Sequence, residues 1–332
     1  MVAAVESDPC GLAASFKLET HEMTGPFRTL ACVAMSVALT LPCHAQNAAG
    51  STGGIDLRPQ FTQGQTLRYE IQQQTKNVNT GAGFTVGQTT GQTIRLRLDV
   101  VSVGEEQTKA DLTYERLAIE IKPTEGSMGG RSGSFDSDKP ADPSNPLDSA
   151  LRPLLKTSLH LTLDGDGNIT EIASDGNPGT GIAAAMGGKE AVQFLVGRIV
   201  SPRHGSGRAS VGQSWTNQDS LPLAPFGSLE MTTTHTLAGF DAPAAHVNLS
   251  SKVRFKSSGN GATGQMNLKK ANITGAYEWD TETGSLQTLH ADNSFELGMS
   301  QQGIEMLATF NGTLEIRRLD AEADAPANTK SD

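Results

Sequence analysis

The sequence predicts a mainly β protein built on one large curled antiparallel sheet, half-barrel or barrel-like, with about eleven strands. Apolar and polar residues alternate in segment after segment between residues 64 and 319. Glycine, asparagine and aspartate clusters separate these segments as turns do. Two segments in the middle of the chain instead carry the spacing of short helices. A flat sheet of this size would expose its apolar face, so we expect it to curl and the helices to cover the opening.

Residues 1–45 are predicted to be a leader that ends in a bacterial secretion signal. Arg28 precedes the uncharged, mostly apolar run Thr29–Pro42, and the small residues Cys43 and Ala45 follow at the positions that a signal peptidase requires. The run is too short to cross a bilayer. Cleavage after Ala45 therefore predicts a periplasmic or secreted protein with no transmembrane segment in its mature form.

The leader also contains all three cysteines of the chain, Cys10, Cys32 and Cys43. The mature protein is thus expected to have no disulfide and to be held together by burial and hydrogen bonding. A lipoprotein signal, with lipid attached to Cys43, is the alternative. The upstream residues are acidic, so we expect translation to start at Met23.

The composition narrows the range of partners. The chain has a formal net charge of −10 and no basic block, which makes nucleic acid or an anionic membrane surface a poor partner. Aromatic residues make up only 5% of the chain, while glycine is abundant. This composition is typical of partly solvated strands and turns rather than of a helical bundle.

The chain after the leader divides into three parts. Residues 46–55 are small and polar, and residues 46–63 are predicted to be a flexible lead-in. Residues 64–319 predict one β-rich domain of two similar halves, 64–172 and 212–319, joined by a helical connector. Residues 320–332 predict a disordered acidic tail.

In the first half, three alternating segments predict three strands. The first starts at Gly64-Gln65-Thr66 and the second contains Ile94, Leu96 and Leu98. The third changes phase between Tyr114 and Leu117, which predicts a β-bulge. Residues 123–145 lack an apolar period and predict a long loop. Its acidic residues, Asp136, Asp138 and Asp142, are interpreted as solvated loop acids rather than as a cation site.

The middle of the chain contains two predicted helices and a predicted hairpin. Asn145-Pro146 begins a helix that runs to about Lys156, and Val192 to Ile199 form one apolar stripe of the second helix. Between them, residues 159–172 alternate, turn and alternate again, as a β-hairpin does.

The second half repeats the pattern of the first. Gly212-Gln213-Ser214-Trp215 has the spacing of Gly64-Gln65-Thr66-Leu67, and further alternating segments follow. The last segment is the most regular: its even residues from Ile304 to Ile316 are mostly apolar and its odd residues are polar. We expect the even residues to face the core.

No pattern in the sequence predicts catalysis or a metal. Asp164, Asp166 and Asn168 have the spacing of a calcium loop, but Ile169 occupies the position where that loop requires glycine, so a hairpin turn is predicted instead. The histidines form no ligand pair, and neither a G-x-S-x-G motif nor a phosphate loop is present. We therefore expect no enzyme activity, no metal and no cofactor.

Aromatic side chains are the candidate ligand-binding residues. Trp215, Tyr277, Trp279 and Phe310 stand out in a chain that is poor in aromatics. They could line a cavity for a lipid or another apolar small molecule. The alternative is that they are simply the largest core residues of the second half.

Five segments carry a resemblance to known proteins. In chain order they are LRPQFTQGQTLRYEI, FDSDKPADPSNPLDSALRPL, LTLDGDGNITEI, VGQSW and YEWDTETGSLQTL. They resemble a family of exported, β-rich bacterial proteins of unknown function, which implies no catalytic residue. The order of strands and helices resembles that of the periplasmic lipoprotein carriers in architecture only, and fold does not imply function.

Two functions follow as hypotheses. The first is a non-catalytic binding or carrier module for an apolar ligand in the cell envelope. The second is a structural or protein-interaction domain of the envelope whose core is filled. Small inward residues, such as Ala308 and Gly312, around an open cavity would favour the carrier, whereas inward side chains that fill the space would favour the structural domain.

Overall fold

A computed structural model describes residues 54–81, 83–125, 132–175, 189–201, 207–223, 227–257, 265–301 and 304–319. The predicted leader with Cys43, residues 46–53 of the predicted lead-in and the predicted acidic tail lie outside these ranges. Within the described ranges, no helix is both long enough and apolar enough to cross a membrane.

The prediction of a mainly β fold with two short helices is confirmed. The helices are α1 (Pro146–Leu151), which a 3₁₀ helix (Arg152–Lys156) continues, and α2 (Lys189–Val200). The strands of the first half are β1 (Ile55–Asp56), β2 (Thr66–Gly81), β3 (Phe84–Val103), β4 (Gln107–Pro123), β5 (Gly133–Asp136), β6 (Ser158–Asp164) and β7 (Ile169–Ser174). The remaining strands are β8 (Arg208–Ala209), β9 (Ser214–Leu223), β10 (Gly227–Asp241), β11 (Ala244–Ser257), β12 (Gln265–Asp280), β13 (Ser285–Gln301) and β14 (Ile304–Leu319).

Twelve of these strands form one antiparallel sheet in the order β7-β6-β4-β3-β2-β14-β13-β12-β11-β10-β9, with β5 beside β4. The sequence predicted about eleven strands and missed β5, which lies in the predicted long loop. Four residues are too few to show an alternation, and β5 exists because it pairs with Ala118–Ile121 of β4. The short strands β1 and β8 pair with each other outside this sheet.

The sheet curls until its two edges approach each other, but it does not close into a barrel. Ser201, which directly follows α2, donates a 2.8 Å hydrogen bond to the carbonyl of Asp166 in the β6–β7 turn. The same residue lines a cavity with Asn217 of β9, the strand at the opposite edge. In a flat sheet these edges would lie about 48 Å apart, since strands are spaced by about 4.8 Å. Helix α2 therefore spans the gap between them.

Two apolar clusters fill the concave side. The larger one packs α1, the 3₁₀ helix and α2 against the strands, and it buries Leu57, Leu151 and Trp279 completely. The smaller one lies toward the opposite ends of β10 to β14. It is composed of buried Leu229, Met266, Leu297 and Ala308 with partly buried Val253, Phe255, Leu268, Met299 and Phe310.

The strand registers confirm two detailed predictions. In β4, Tyr114 pairs with Leu96 and Arg116 pairs with Arg95, so Glu115 is the extra residue of the predicted bulge. In β14, Leu314 and Ile316 are buried and face the core as predicted.

The two Gly-Gln segments start their strands with the same hydrogen bonds. Gly64 N–H donates to the carbonyl of Val100, and Val100 N–H donates to the carbonyl of Gln65. Gly212 and Gln213 make the same two bonds with Leu237. In both segments the glutamine side-chain oxygen also accepts a backbone N–H three residues upstream, at 3.0 Å from Thr62 and 2.9 Å from Ser210.

Candidate functional site

The structure brings two of the four predicted site residues into one aromatic group. The ring of Trp215 on β9 stacks on His235 of β10, with centroids 5.5 Å apart and an interplanar angle of 7°. Tyr277 of β12 also contacts His235, edge to face, with ring centroids 5.8 Å apart and an interplanar angle of 70°. His235 thus contacts both Trp215 and Tyr277 on the concave side of the sheet.

The other two predicted residues lie elsewhere. Trp279 is 0% exposed in the larger core cluster, two residues beyond Tyr277 on the same face. Phe310 belongs to the smaller cluster. The four aromatics therefore do not line one common cavity, and their role in ligand binding remains a prediction.

A cavity of about 50 Å³ lies between the C-terminal end of α2 and the concave face of β9 to β13. We call it the α2 cavity. Its lining residues are Arg198, Ser201, Asn217, Asp219, Thr233, His235, Leu249, Ser251, Ile273, Tyr277 and Leu289. Leucines and an isoleucine form its apolar part, while the groups from α2, β9 and β10 are polar.

The polar groups around this cavity are connected to each other. The hydroxyls of Thr233 and Ser251 lie 2.7 Å apart across the β10–β11 pair. The side-chain amide nitrogen of Asn217 lies 3.4 Å from Nε2 of His235. Asn217 is only 4% exposed although it is polar, so its contacts inside the protein replace those it would make with water.

The hydroxyl of Tyr277 is a buried polar group of a different kind. It is shielded from solvent and has no hydrogen-bond partner among the residues that the structure describes. Burial also raises the pKa of Tyr277 above its ordinary value. The hydroxyl is therefore protonated at neutral pH, and its donor is left without an acceptor among the described residues.

Sequence reasoning missed most of this lining, although a signal for it exists. Along β10 the inward positions are Leu229, Met231, Thr233, His235 and Leu237. Two polar residues interrupt this otherwise apolar phase, and Asn217 on β9 and Ser251 on β11 lie beside them. A polar interruption that recurs on neighbouring strands indicates a polar pocket, but the pairing of the strands has to be known to see it.

On the convex face, two histidines lie beside glutamates of neighbouring strands. Nδ1 of His246 lies 3.3 Å from Glu278, and Nδ1 of His290 lies 3.5 Å from Glu315. Both histidines border a shallow depression of about 380 Å³ whose floor includes Ala276. Across the part of the chain that the structure describes, no group of three or more histidine, cysteine or acidic side chains has the geometry of a metal site.

The acidic residues that the sequence analysis considered as ligands have structural partners. Oδ1 of Asp164 accepts the backbone N–H groups of Asp166, at 3.0 Å, and of Asn168, at 2.8 Å, and so closes the β6–β7 turn. Asp136 and Asp138 form ion pairs with Arg116, at 3.2 and 2.9 Å.

No protein family and no curated relative matches the chain. Among solved structures, an outer membrane channel from Pseudomonas putida F1 has 9% sequence identity and a TM-score of 0.22, over 82% of this chain and 100% of that chain. Ail, the attachment invasion locus protein of Yersinia pestis, has 6% identity and a TM-score of 0.15, over 77% of this chain and 99% of that chain. At these TM-scores neither likeness informs the fold or the function of this protein.

Proposed function

We propose that this protein is a non-catalytic structural or protein-interaction domain of the cell envelope, with a core filled by its own side chains. The envelope location rests on the secretion signal predicted in residues 1–45. The absence of a nucleophile elbow and of a phosphate loop from the sequence supports a non-catalytic role.

The observation that carries this proposal is the packing around the two smallest inward residues of β14. Ala308 is 2% exposed and packs in the smaller core cluster. A Cβ added at Gly312 would lie 3.0 Å from Oδ1 of Asn293 and 3.0 Å from the carbonyl oxygen of Gln74. Larger neighbours therefore occupy the space that these small residues leave. Among the described residues, these neighbours leave no open space beside Ala308 and Gly312 of the kind that a carrier of an apolar ligand requires.

The α2 cavity is also a poor site for a lipid. Its volume is about 50 Å³, whereas pockets for organic ligands usually measure about 300–1,000 Å³. Its polar lining would lose hydrogen bonds to water if an acyl chain entered it, and each unpaired buried group costs about 1–3 kcal/mol.

Native mass spectrometry of the protein purified from its own envelope tests the proposal. We expect the mass of the mature polypeptide without bound lipid, both before and after extraction with a detergent. Chemical crosslinking in intact cells is expected to join the protein to a second polypeptide. A lipid that copurifies at one molecule per chain would overturn the filled domain in favour of the carrier.

A further inference from the structure

The hydrogen-bonded ladder between β11 and β12 ends before either strand does. Its last pair is Ser251 with Ile273. Beyond this pair, residues 252–256 of β11 remain paired with β10, and residues 265–272 of β12 remain paired with β13. Within the part of the chain that the structure describes, these two stretches do not pair with each other. The sheet divides here, and we call the space between the two stretches the β11–β12 fork.

A β-bulge in β12 accompanies this division. The register of β12 with β13 shifts between Leu268 and Lys270, so Lys269 is an extra residue. A bulge bends its strand and increases the local twist, which favours the divergence of β12 from β11. The connection between the two strands, residues 258–264, lies outside the described ranges.

Both sides of the fork offer backbone groups for pairing. In an antiparallel sheet, every second residue of a strand turns its N–H and C=O toward the same neighbour. Along residues 252–256 and 265–272, the groups that face the fork have no strand to pair with among the described residues. Strand edges of this kind accept an extended peptide by strand addition, in which main-chain hydrogen bonds give affinity and side chains give specificity.

The concave side of the fork is apolar. Val253 and Phe255 of β11 and Leu268 of β12 are partly buried in the smaller core cluster. A strand added in the fork would place its inward side chains against these three residues. The burial of their remaining exposed surface favours apolar side chains at the inward positions of such a strand.

The convex side of the fork is basic, although the whole chain has a formal net charge of −10. Its exposed basic side chains are Lys252, Arg254, Lys256, Lys269 and Lys270. Two acids lie beside them: Glu230 is 3.3 Å from Lys256, and Glu296 is opposite Lys270 in the β12–β13 ladder. The five basic residues outnumber these acids, so positive charge prevails around the fork.

The basic residues also discriminate between partners. Lysines along an open strand edge commonly prevent edge-to-edge aggregation. The same effect is expected between two copies of this chain, since their basic edges would repel each other. An acidic strand is attracted instead, because its outward carboxylates would lie across from lysine and arginine side chains. The charges thus favour an acidic partner over a second copy.

We propose that the β11–β12 fork binds an extended peptide segment of another envelope polypeptide, which adds as a strand along residues 252–256 of β11. The segment turns acidic side chains to the convex side and apolar side chains toward Phe255 and Leu268. The fork thereby gives the protein-interaction domain of the proposed function, on which this assignment rests, a defined class of partner.

Fluorescence anisotropy of a labelled synthetic peptide, EVEVEVE, titrated with the purified protein tests this binding. Saturable binding is expected, with a Kd of roughly 10–100 μM that weakens as NaCl is raised, because salt screens exposed charges. The peptide KVKVKVK keeps the alternation with the opposite charge, and EEEEVVV keeps the composition without the alternation. Neither control is expected to bind.

Absence of saturable EVEVEVE binding, or equal binding of either control peptide, would overturn the proposal. Such a result would leave the proposed function intact, since the absence of bound lipid and the crosslinking to a second polypeptide are measured independently of this peptide.

Lys252→Gln removes one charge from the fork. The affinity for EVEVEVE is expected to fall by about twofold to fivefold, the worth of one exposed ion pair. Lys109→Gln is the matched control, because Lys109 is also exposed on the convex face but lies on β4. An equal effect of the two substitutions, whether a loss or no change, would overturn the proposal.

NMR of the ¹⁵N-labelled protein locates the bound peptide. The amide resonances of residues 252–256 and 265–272 are expected to shift and to saturate with EVEVEVE, while those of β4 stay unchanged. Shifts confined to other strands would overturn the site. Sedimentation of the protein alone is expected to show a monomer. A dimer that excludes the peptide would assign the fork to a second copy and overturn the choice of partner.

Discussion

At the scale of single residues, His160 links the strands at the β6–β7 edge of the sheet through contacts with two aspartates. Its Nδ1 lies 2.6 Å from Asp111 of β4, and its Nε2 lies 2.9 Å from Asp175, which follows β7. The hydrogen bonds to Asp111 and Asp175 raise the pKa of His160 above its ordinary value. Three neighbouring segments of the chain are therefore joined through one histidine ring.

This contact predicts a pH dependence with a definite sign. Because the pKa of His160 is higher in the folded protein, its stabilisation is complete below the unfolded pKa of about 6.5 and is lost as the pH rises through the folded pKa. The free energies of unfolding of the wild type and His160→Gln, measured in urea from pH 5.5 to 8.5, should differ most at the acidic end. The ring is partly exposed, so we expect a difference below about 1 kcal/mol. A difference that increases with pH would contradict this account.

At the scale of elements, β14 shows how the alternation of a strand meets two different environments. Leu314 and Ile316 are 7% and 1% exposed and belong to the larger core cluster. Phe310 has the same inward phase, but it is only partly buried in the smaller cluster. One strand thus contributes side chains to both apolar clusters. We expect the inward residues at its two ends to contribute unequally to the free energy of unfolding.

Substitutions along β14 test this register. Phe310→Ala should cost roughly 1.5–3 kcal/mol, less than the 3–5 kcal/mol of a fully buried phenylalanine, because part of its ring already meets solvent. Thr309→Ala, one residue away on the convex face, should stay within about 0.5 kcal/mol. Urea titrations of both variants provide the comparison. Equal losses at the two positions would refute the register.

At the scale of the whole molecule, the segment before β2 closes one end of the curled sheet. Leu57 is 0% exposed, and the side-chain amide of Gln60 donates a 3.0 Å hydrogen bond to the carbonyl of Thr281 in the β12–β13 turn. A Cβ added at Gly167 in the β6–β7 turn would come within 2.6 Å of the Pro59 ring. Turns from both halves of the chain therefore touch this one segment.

Because the segment before β2 packs against the β12–β13 turn, alanine substitutions at two glycines with positive φ should differ in their cost to stability. At Gly284, with φ of +54°, an added Cβ would overlap with the backbone nitrogen of Gln60. Gly284→Ala should therefore cost clearly more than about 2 kcal/mol, since neither backbone can move away cheaply. At Gly64, with φ of +81°, an added Cβ meets nothing within 4 Å. Gly64→Ala should cost only the strain of about 1–2 kcal/mol, and thermal unfolding of both variants decides whether the closure is tight.

The local periodicity of the chain was sufficient to predict the long strands and both helices, but not the short strands β1, β5 and β8. Alternation predicted the long strands, the apolar stripe of residues 192–199 predicted α2, and the phase change after Tyr114 predicted the bulge at Glu115. These features depend on which side of a strand or helix is buried. The alternation of apolar and polar residues along the chain shows that side directly. The division into two similar halves and the secretion signal remain predictions.

The α2 cavity could not be predicted in this way, because its lining comes from α2 and five strands. Arg198 on α2 and Leu289 on β13 are far apart in sequence, and they line one space only because the sheet curls and α2 spans its edges. The sequence determined that the protein is a large β-sheet with two short helices. Only the tertiary structure decided which aromatics meet and which inward positions are filled. The physical reason is that strand pairing and sheet curvature bring distant residues together, whereas periodicity reports only what each strand buries.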